Sequence, residues 1–189
     1  TVMFVGAVDE EGNATGIKSL VKNKPKVDYA IFGEPSGINH VTIAYKGRIA
    51  INLKINVKSS AHASAPWLAK NAIEESTLFT REIKRSLESE QGHKKKGMQL
   101  TATITEIKGG LSHNVTPQEC NSTLDVRIPV DMNCQMVEEK ISKAVNEVAE
   151  KQKVEAFYSI IDETEPFEAD HNSSLVRALT LGILDIEKK

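Results

Sequence analysis

The chain has 189 residues, 40% of them hydrophobic, which is enough to build a core in one domain or in two small ones. Its 24 Lys and Arg residues nearly balance its 26 Asp and Glu residues, giving a net charge of -2, which argues against a dedicated nucleic-acid-binding or membrane-surface protein. No apolar run approaches bilayer length, and two cysteines, Cys120 and Cys134, are too few for a disulfide scaffold, so a cytoplasmic location is expected.

The first forty residues predict the order strand, turn, helix, strand. Residues 1–8 ("TVMFVGAV") and 28–33 ("DYAIFG") are short apolar runs typical of buried strands, and residues 17–23 between them predict a helix. The chain thus begins inside a strand-like run, and it ends in a helical pattern without a Gly or Pro stop signal. We therefore expect it to be a piece of a longer protein, truncated at both ends.

Acidic residues follow both predicted strands. Glu10 and Glu11 come directly after the first strand, and Glu34 comes after the second. In a right-handed β-α-β unit the carboxyl ends of both strands lie on one edge of the sheet, where α/β proteins keep their ligand crevices. The three carboxylates are thus expected to converge, and without a cation this crowding of negative charge would cost several kcal/mol or force protonation. The alternative is a solvated turn that leads into the helix, with Asp9 capping or orienting the turn.

A different pattern fills residues 43–161. Strict alternation at 49–57 predicts a strand with one wet face, and further strands are predicted at 98–107, 120–128 and 154–161. Helices are predicted from Pro66 onward and over 136–148. The order β-α-β-β-α-β is that of the ferredoxin-like α+β fold, with four antiparallel strands and two helices on one face.

The predicted fold class is therefore an α/β domain, present as the fragments 1–42 and 162–189, with a ferredoxin-like domain inserted at 43–161. Ferredoxin-like domains also bind RNA, through aromatic side chains that stack on bases. The segment "KGRIAINL" (46–53) carries Arg48, Ala50 and Leu53 where those aromatics would lie. Because the stacking platform is missing, no nucleic-acid partner is expected.

Four motifs in order resemble the M20 metallopeptidase family, which contains deacetylases, desuccinylases, lysine-biosynthesis deacylases and carboxypeptidases. They are "VDEEG" (8–12), "GEPS" (33–36), "SSAHASAPWLAKNAI" (59–73) and "GGLSHNVTPQECNSTLDVR" (109–127). Each motif is weak alone, but the ordered set spans most of the chain and is fairly specific.

The resemblance implies roles for the three acids. Glu10 would be the general base, taking a proton from a water held between two zinc ions and passing it to the leaving amine. Glu11 would bind one zinc ion and Glu34 the other, with cobalt as a possible substitute. Carboxylate oxygens are competent zinc ligands, and the metals would offset the local negative charge.

The resemblance also assigns three residues of the inserted domain. His62 would reach into the active site of a partner subunit and stabilise the oxyanion, while Asn114 and Arg127 would grip the substrate carboxylate. From the residues alone, a loop histidine that caps the following helix is the favoured interpretation of His62. Arg127 is as readily a cross-strand partner of a nearby acid. His40, His93, His113 and His171 match no family role.

The chain departs from the family in its ligand set. The resemblance requires an upstream His-x-Asp motif and a late zinc-binding histidine, and neither is in the sequence. Two carboxylates cannot hold a zinc pair tightly, so the chain alone is expected to be inactive.

The leading hypothesis is a zinc-dependent hydrolase that cleaves the amide bond of an N-acyl amino acid in amino-acid biosynthesis. The resemblance also predicts a homodimer through residues 43–161, with edge strands pairing. A second hypothesis is an exopeptidase that acts on dipeptides or C-terminal residues, and Arg127 fits both. A third is a ferredoxin-like dimerisation or ligand-binding module without catalysis.

Overall fold

The computed structural model describes residues 1–12, 14–33, 37–89 and 98–187. By their contacts the residues divide into two units. One comprises Thr1–Val41 with Arg177–Lys189, and the other comprises Thr42–Val176. No described helix is both long and apolar enough to cross a bilayer.

The unit of residues 42–176 is built on a four-stranded antiparallel sheet. Its strands are joined by two long helices, so the elements run strand, helix, strand, strand, helix, strand. A short antiparallel pair lies beside them, with Ala44 opposite Glu168. In chain order the elements are β1 (Ala44–Tyr45), β2 (Gly47–Asn56), α2 (Ala72–Glu88), β3 (Thr101–Gly109), β4 (Glu119–Ile128), α3 (Cys134–Gln152), β5 (Glu155–Thr164) and β6 (Phe167–Glu168), with α1 (Thr15–Lys22) before them and α4 (Ser174–Glu187) after.

The strand order in the large sheet is β3-β4-β2-β5, so β2 and β4 are central and β3 and β5 are edges. The alternation predicted for β2 places its aliphatic residues on the face covered by α2 and α3, and its polar residues on the open face. The core lies between that face and the helices. Its largest fully buried members include Phe79, Ile49, Ile51, Leu53, Ile55, Ile83, Leu124 and Ile141.

Both long helices begin at asparagine N-caps, which define where each helix starts. Asn71 Oδ1 accepts a hydrogen bond from the Ile73 N–H at 3.0 Å, and Asn133 Oδ1 accepts one from the Met136 N–H at 2.9 Å. The first helix was predicted to open at Pro66, and that start is wrong. Pro66 begins only a short 3₁₀ turn, because Ala69 is extended and Asn71 restarts the chain as α2.

The two strands predicted near the N-terminus are not found. Residues 1–8 and 28–33 form no ladder among the described residues, and their side chains are exposed, Phe4 by 97%. A strand requires a neighbouring strand to accept its hydrogen bonds, and an apolar run does not reveal whether that neighbour is present. Only the helix between them forms, as α1. The described residues near the N-terminus therefore contain no β-α-β unit, which was the basis for expecting the three glutamates to converge.

Candidate active-site residues

Two loops of the unit 42–176 are joined by strand-like hydrogen bonds just beyond the ends of β2 and β4. The Thr116 N–H donates to Ala61 O, and the Ala63 N–H donates to Asn114 O, both at 2.8 Å. His62 and Val115 form the isolated bridge between them. Because β2 and β4 are hydrogen-bonded neighbours, the chain segments that leave them are already close, and the bridge extends their pairing.

This bridge brings two predicted site residues together. His62 Nε2 lies 3.5 Å from Asn114 Nδ2, although 52 residues separate them in the sequence. On its other side the imidazole Nδ1 lies 2.8 Å from Ser64 Oγ and accepts a hydrogen bond from the Ser64 N–H at 3.2 Å. Asn114 Oδ1 accepts a hydrogen bond from Ser112 Oγ at 2.7 Å. His62 is exposed at its loop, so its ring is accessible to a ligand.

An open groove of about 620 Å³ adjoins the paired loops, and Ser60, Ser112 and Thr116 contribute to its lining. Charged residues that line the groove form ion pairs. One of them is Glu119, whose Oε2 lies 2.7 Å from Lys54 Nζ. The hydrogen bond and charge of Lys54 lower the pKa of the Glu119 carboxyl. The groove is large enough for a small polar ligand beside the His62 loop.

Arg127 lies near the other end of β4, on the open face of the sheet. Its Nε donates to Asp125 Oδ1 at 2.6 Å, and Arg48 Nε donates to the other carboxylate oxygen at 2.6 Å. Arg48 Nη1 also donates to Asp162 Oδ2 at 3.0 Å. The ion pair with a nearby acid that was the alternative interpretation of Arg127 is thus present, although the acid is on the same strand. Arg127 Nη1 makes no hydrogen bond in the part of the chain that is described.

Lys46 adds a third cation at this end of the sheet. Its Nζ donates to Gln99 O at 2.5 Å. Burial and, secondarily, the positive charge of Arg127 lower its pKa. The surroundings of Arg127 are therefore rich in positive charge that Asp125 and Asp162 offset in part, which favours an anionic ligand at this position.

Asn114 and Arg127, predicted to grip one carboxylate, do not meet within one chain. Asn114 lies beyond the Glu119 end of β4, and Arg127 is eight residues along the strand from Glu119. At about 3.3 Å per residue this separates the two ends by about 26 Å. A small substrate bound by Arg127 is consequently out of reach of His62 and Asn114 of the same chain.

The acidic turn lies in the other unit. The Asp9 carbonyl accepts hydrogen bonds from the N–H groups of Gly12 at 3.3 Å and Ala14 at 2.7 Å, and Asp9 Oδ2 accepts one from Thr15 Oγ1 at 3.1 Å. Asp9 thus orders the turn, while Glu10 and Glu11 are exposed. Glu34 lies outside the described residues, as does His93.

The acidic turn supplies fewer donors than the predicted zinc site needs. Zinc in proteins takes four ligands, or three with a water. Glu10 and Glu11 supply two neighbouring carboxylates, and the described residues contain no group of three or more His, Cys, Asp or Glu side chains able to hold a metal. The described residues alone therefore do not fit a zinc pair.

Sequence reasoning missed Ser64 and Thr116. Thr116 is buried, and its Oγ1 accepts a hydrogen bond from the Ala61 N–H at 2.8 Å. Ser64 touches the imidazole, and its position two residues after His62 in "SAHASAP" was a usable signal, because Ser hydroxyls hydrogen-bond locally. The partner of Thr116 could not be found from the sequence, because 55 residues separate it from Ala61.

Comparison with known proteins identifies the unit that carries these loops. Residues 43–153 match the model of the M20 peptidase dimerisation domain, which covers more than half of the chain. The matched range contains His62, Asn114 and Arg127.

Relatives and solved structures extend the similarity beyond that domain. A Saccharolobus islandicus protein named LysW-lysine/LysW-ornithine hydrolase is 28% identical over 184 residues, covering 97% of this chain and 48% of its own. A Pyrobaculum aerophilum protein whose name contains the same activity is 29% identical over 187 residues, covering 98% of this chain and 49% of its own. The chain therefore spans about half the length of these relatives. A tripeptidase structure from Staphylococcus aureus has a TM-score of 0.72 at 18% identity, covering 95% of this chain and 46% of that one, and shows a similar fold.

Proposed function

Because this chain belongs to the M20 peptidase family, we propose that the intact protein is a zinc-dependent hydrolase that cleaves the amide bond of an N-acyl amino acid. The observation that carries the proposal is the meeting of His62 and Asn114, 3.5 Å apart, on an exposed bridge between two loops. Two polar side chains held at this distance by backbone pairing are suited to bind an amide carbonyl and its developing charge.

The proposed roles divide between the two units. His62 donates a hydrogen bond to the carbonyl oxygen as it becomes negative, and Asn114 and Arg127 bind substrate. Glu10 takes a proton from the attacking water and passes it to the leaving amine. Glu11 and Glu34 are the proposed zinc ligands within this chain, and zinc would supply Lewis-acid polarisation and an activated water. Zinc, the role of each residue and a cytoplasmic location belong to the proposal.

We propose an amine-bearing amino acid such as lysine or ornithine as the released product, because the relatives named above are hydrolases of LysW-lysine and LysW-ornithine. The positive charge around Arg127 supports recognition of a carboxylate on the amino-acid part. An exopeptidase would need the same carboxylate contact. Comparing N-acetyl-lysine with lysine-containing dipeptides as substrates of the intact protein distinguishes these two activities.

Residues 43–161, within the unit 42–176, are proposed as a ferredoxin-like lid and dimerisation domain. Its element order and the strand order β3-β4-β2-β5 support the ferredoxin-like assignment. A homodimer also accounts for the distance between Asn114 and Arg127 along β4. In the proposed dimer, His62 and Asn114 of one subunit bind the same substrate as Arg127 of the other.

The proposed dimer uses the β3 edge rather than the β5 edge. β3 carries one acid and one base, Glu106 and Lys108, and is otherwise rich in Thr and Ile. β5 carries three acids and no base, so pairing with its own copy would bring like charges together. The residues that match the dimerisation domain also include β3 and end before β5.

The experiment that tests the proposed function is the Glu10→Gln variant of the intact protein, assayed for hydrolysis of N-acetyl amino acids. Loss of a general base should lower kcat by about 10² to 10⁴-fold. Asp28→Asn is the matched control, since it removes one exposed negative charge from the same unit. Unchanged activity in Glu10→Gln would make the acidic turn a solvated turn. An intact protein without metal or hydrolysis would favour the non-catalytic module.

A further inference from the structure

Four polar side chains form a continuous chain across the paired loops, in the order Ser64, His62, Asn114, Ser112. Ser64 Oγ lies 2.8 Å from His62 Nδ1, and His62 Nε2 lies 3.5 Å from Asn114 Nδ2. Ser112 Oγ lies 2.7 Å from Asn114 Oδ1. Both serines flank residues to which the proposed function assigns a role, and neither has a role in it.

The backbone N–H and the hydroxyl of Ser64 both favour one site for the hydrogen of the His62 ring. The Ser64 N–H donates to Nδ1 at 3.2 Å. A backbone N–H is only a donor, so Nδ1 must offer its lone pair. In a neutral imidazole the hydrogen is then on Nε2. The Ser64 hydroxyl, at 2.8 Å from the same nitrogen, can donate to the same lone pair and strengthens this preference.

The Nε2–H tautomer in turn determines how the Asn114 amide is oriented. A protonated Nε2 requires an acceptor, whereas an Nδ2 amide group opposite it would be a second donor. Reversing the amide places Oδ1 toward Nε2 and the NH₂ toward Ser112 Oγ, which accepts as readily as it donates. All four side chains are then satisfied along one direction of donation.

We propose that the Ser64 side chain is a positioning group, which adds to the backbone contact and holds His62 in the Nε2–H tautomer, ready to donate to the carbonyl oxygen of the substrate. This inference rests on the proposed function, in which His62 stabilises the oxyanion. The opposite tautomer would present a lone pair to the developing negative charge and would repel it. Asn114 accepts the Nε2 hydrogen in the resting protein, and the substrate oxygen replaces it as acceptor.

The first measurement is the ¹⁵N NMR spectrum of the histidine side chains in the 189-residue chain, in which the two ring nitrogens differ in shift according to which one is protonated. In the wild type we expect His62 to be protonated at Nε2. Ser64→Ala keeps the backbone N–H and removes the hydroxyl, so it should weaken the preference and raise the Nδ1–H population measurably above that of the wild type. Ser64→Thr, which keeps the hydroxyl, should restore the wild-type spectrum. Ser59→Ala is the control, because this exposed serine of the same loop makes no side-chain hydrogen bond with the described residues.

The second measurement is amide hydrolysis by the same variants of the intact protein. Ser64→Ala should lower kcat by about tenfold with little change in KM, because the hydrogen bond concerned matters most in the transition state. Ser64→Thr and Ser59→Ala should retain the wild-type kcat.

The two measurements distinguish failure of the Ser64 proposal from failure of the proposed function. A wild-type ring protonated at Nδ1, or a Ser64→Ala spectrum identical to that of the wild type, overturns the role of the Ser64 side chain whatever the activity is. An Nε2–H tautomer that Ser64→Ala shifts, in an intact protein without amide hydrolysis, keeps the positioning of the ring and overturns the proposed function instead.

Discussion

Ala61 and Thr116 are joined by two hydrogen bonds. The Ala61 N–H donates to Thr116 Oγ1 at 2.8 Å, and the Thr116 N–H donates to Ala61 O at 2.8 Å. Both residues are buried. Ala61 immediately precedes His62, and Thr116 immediately follows Val115. Their pairing holds the two loops that carry His62 and Asn114 in register.

Thr116→Val should destabilise the fold by about 1–3 kcal/mol, because it leaves the buried Ala61 N–H without an acceptor while keeping the shape of the side chain. The free energy of unfolding in urea measures this. Thr116→Ser keeps the hydroxyl and should lie much closer to the wild type. Equal stability of Thr116→Val and the wild type would show that the hydroxyl does not hold the loops.

Phe79→Ala should lower the free energy of unfolding by about 3–5 kcal/mol, because the Phe79 side chain is fully buried between α2 and the sheet. Phe157→Ala is the matched control, since Phe157 is 57% exposed on β5 and leaves no closed cavity. Urea unfolding of both variants compares them. Similar losses would mean that the core is not where the helices cover the sheet.

The Cys134 thiol predicts a pH dependence of stability. Burial, and then the nearby Glu165 carboxylate, raises the pKa of Cys134 to about 11. Since the folded pKa lies above the unfolded one, the neutral thiol stabilises the fold fully at neutral pH. That contribution is lost as the pH rises through the unfolded pKa of about 8.5 toward 11.

The stability difference between the wild type and Cys134→Ala should therefore fall by about 1–3 kcal/mol between pH 8 and 11. Urea unfolding at several pH values measures it, and the variant removes the background titration of other groups from the comparison. A difference that stays constant with pH would contradict the buried, neutral thiol.

The proposed dimer edge is tested by one substitution made on each edge strand. Ile104 on β3 is 43% exposed, and Ile161 on β5 is 58% exposed. Ile104→Lys should shift the protein toward monomers, because it places a charge in the pairing edge of both copies. Ile161→Lys should leave the dimer intact. Sedimentation measures both, and a monomer only in Ile161→Lys would assign the interface to β5.

Metal content tests the proposed ligand set. The intact protein should hold about two zinc ions per chain and hydrolyse N-acetyl amino acids, whereas the 189-residue chain should hold none tightly and be inactive. Elemental analysis and the hydrolysis assay, run side by side, measure both. Hydrolysis by the 189-residue chain with added zinc would contradict the prediction that ligands are missing.

The sequence determined those features that depend on one segment at a time. Alternation over residues 49–57 fixed which face of β2 is buried, and the 3.6-residue spacing of Ala72, Ser76, Phe79 and Ile83 fixed the buried face of α2. The motif order was enough to identify the family that the comparison then showed. The periodicity of a segment indicates which of its faces is buried, so these predictions did not require knowing which other segment packs against that face.

Only the tertiary structure decided what depends on a partner distant in the chain. The runs at 1–8 and 28–33 have strand composition but no ladder among the described residues, because pairing is a property of two segments. The contact of His62 with Asn114 likewise follows from the pairing of β2 with β4, which are distant in the sequence. The hydrogen bond from the Ala61 N–H to Thr116 Oγ1 joins residues 55 positions apart, and composition and spacing do not reveal such a pair.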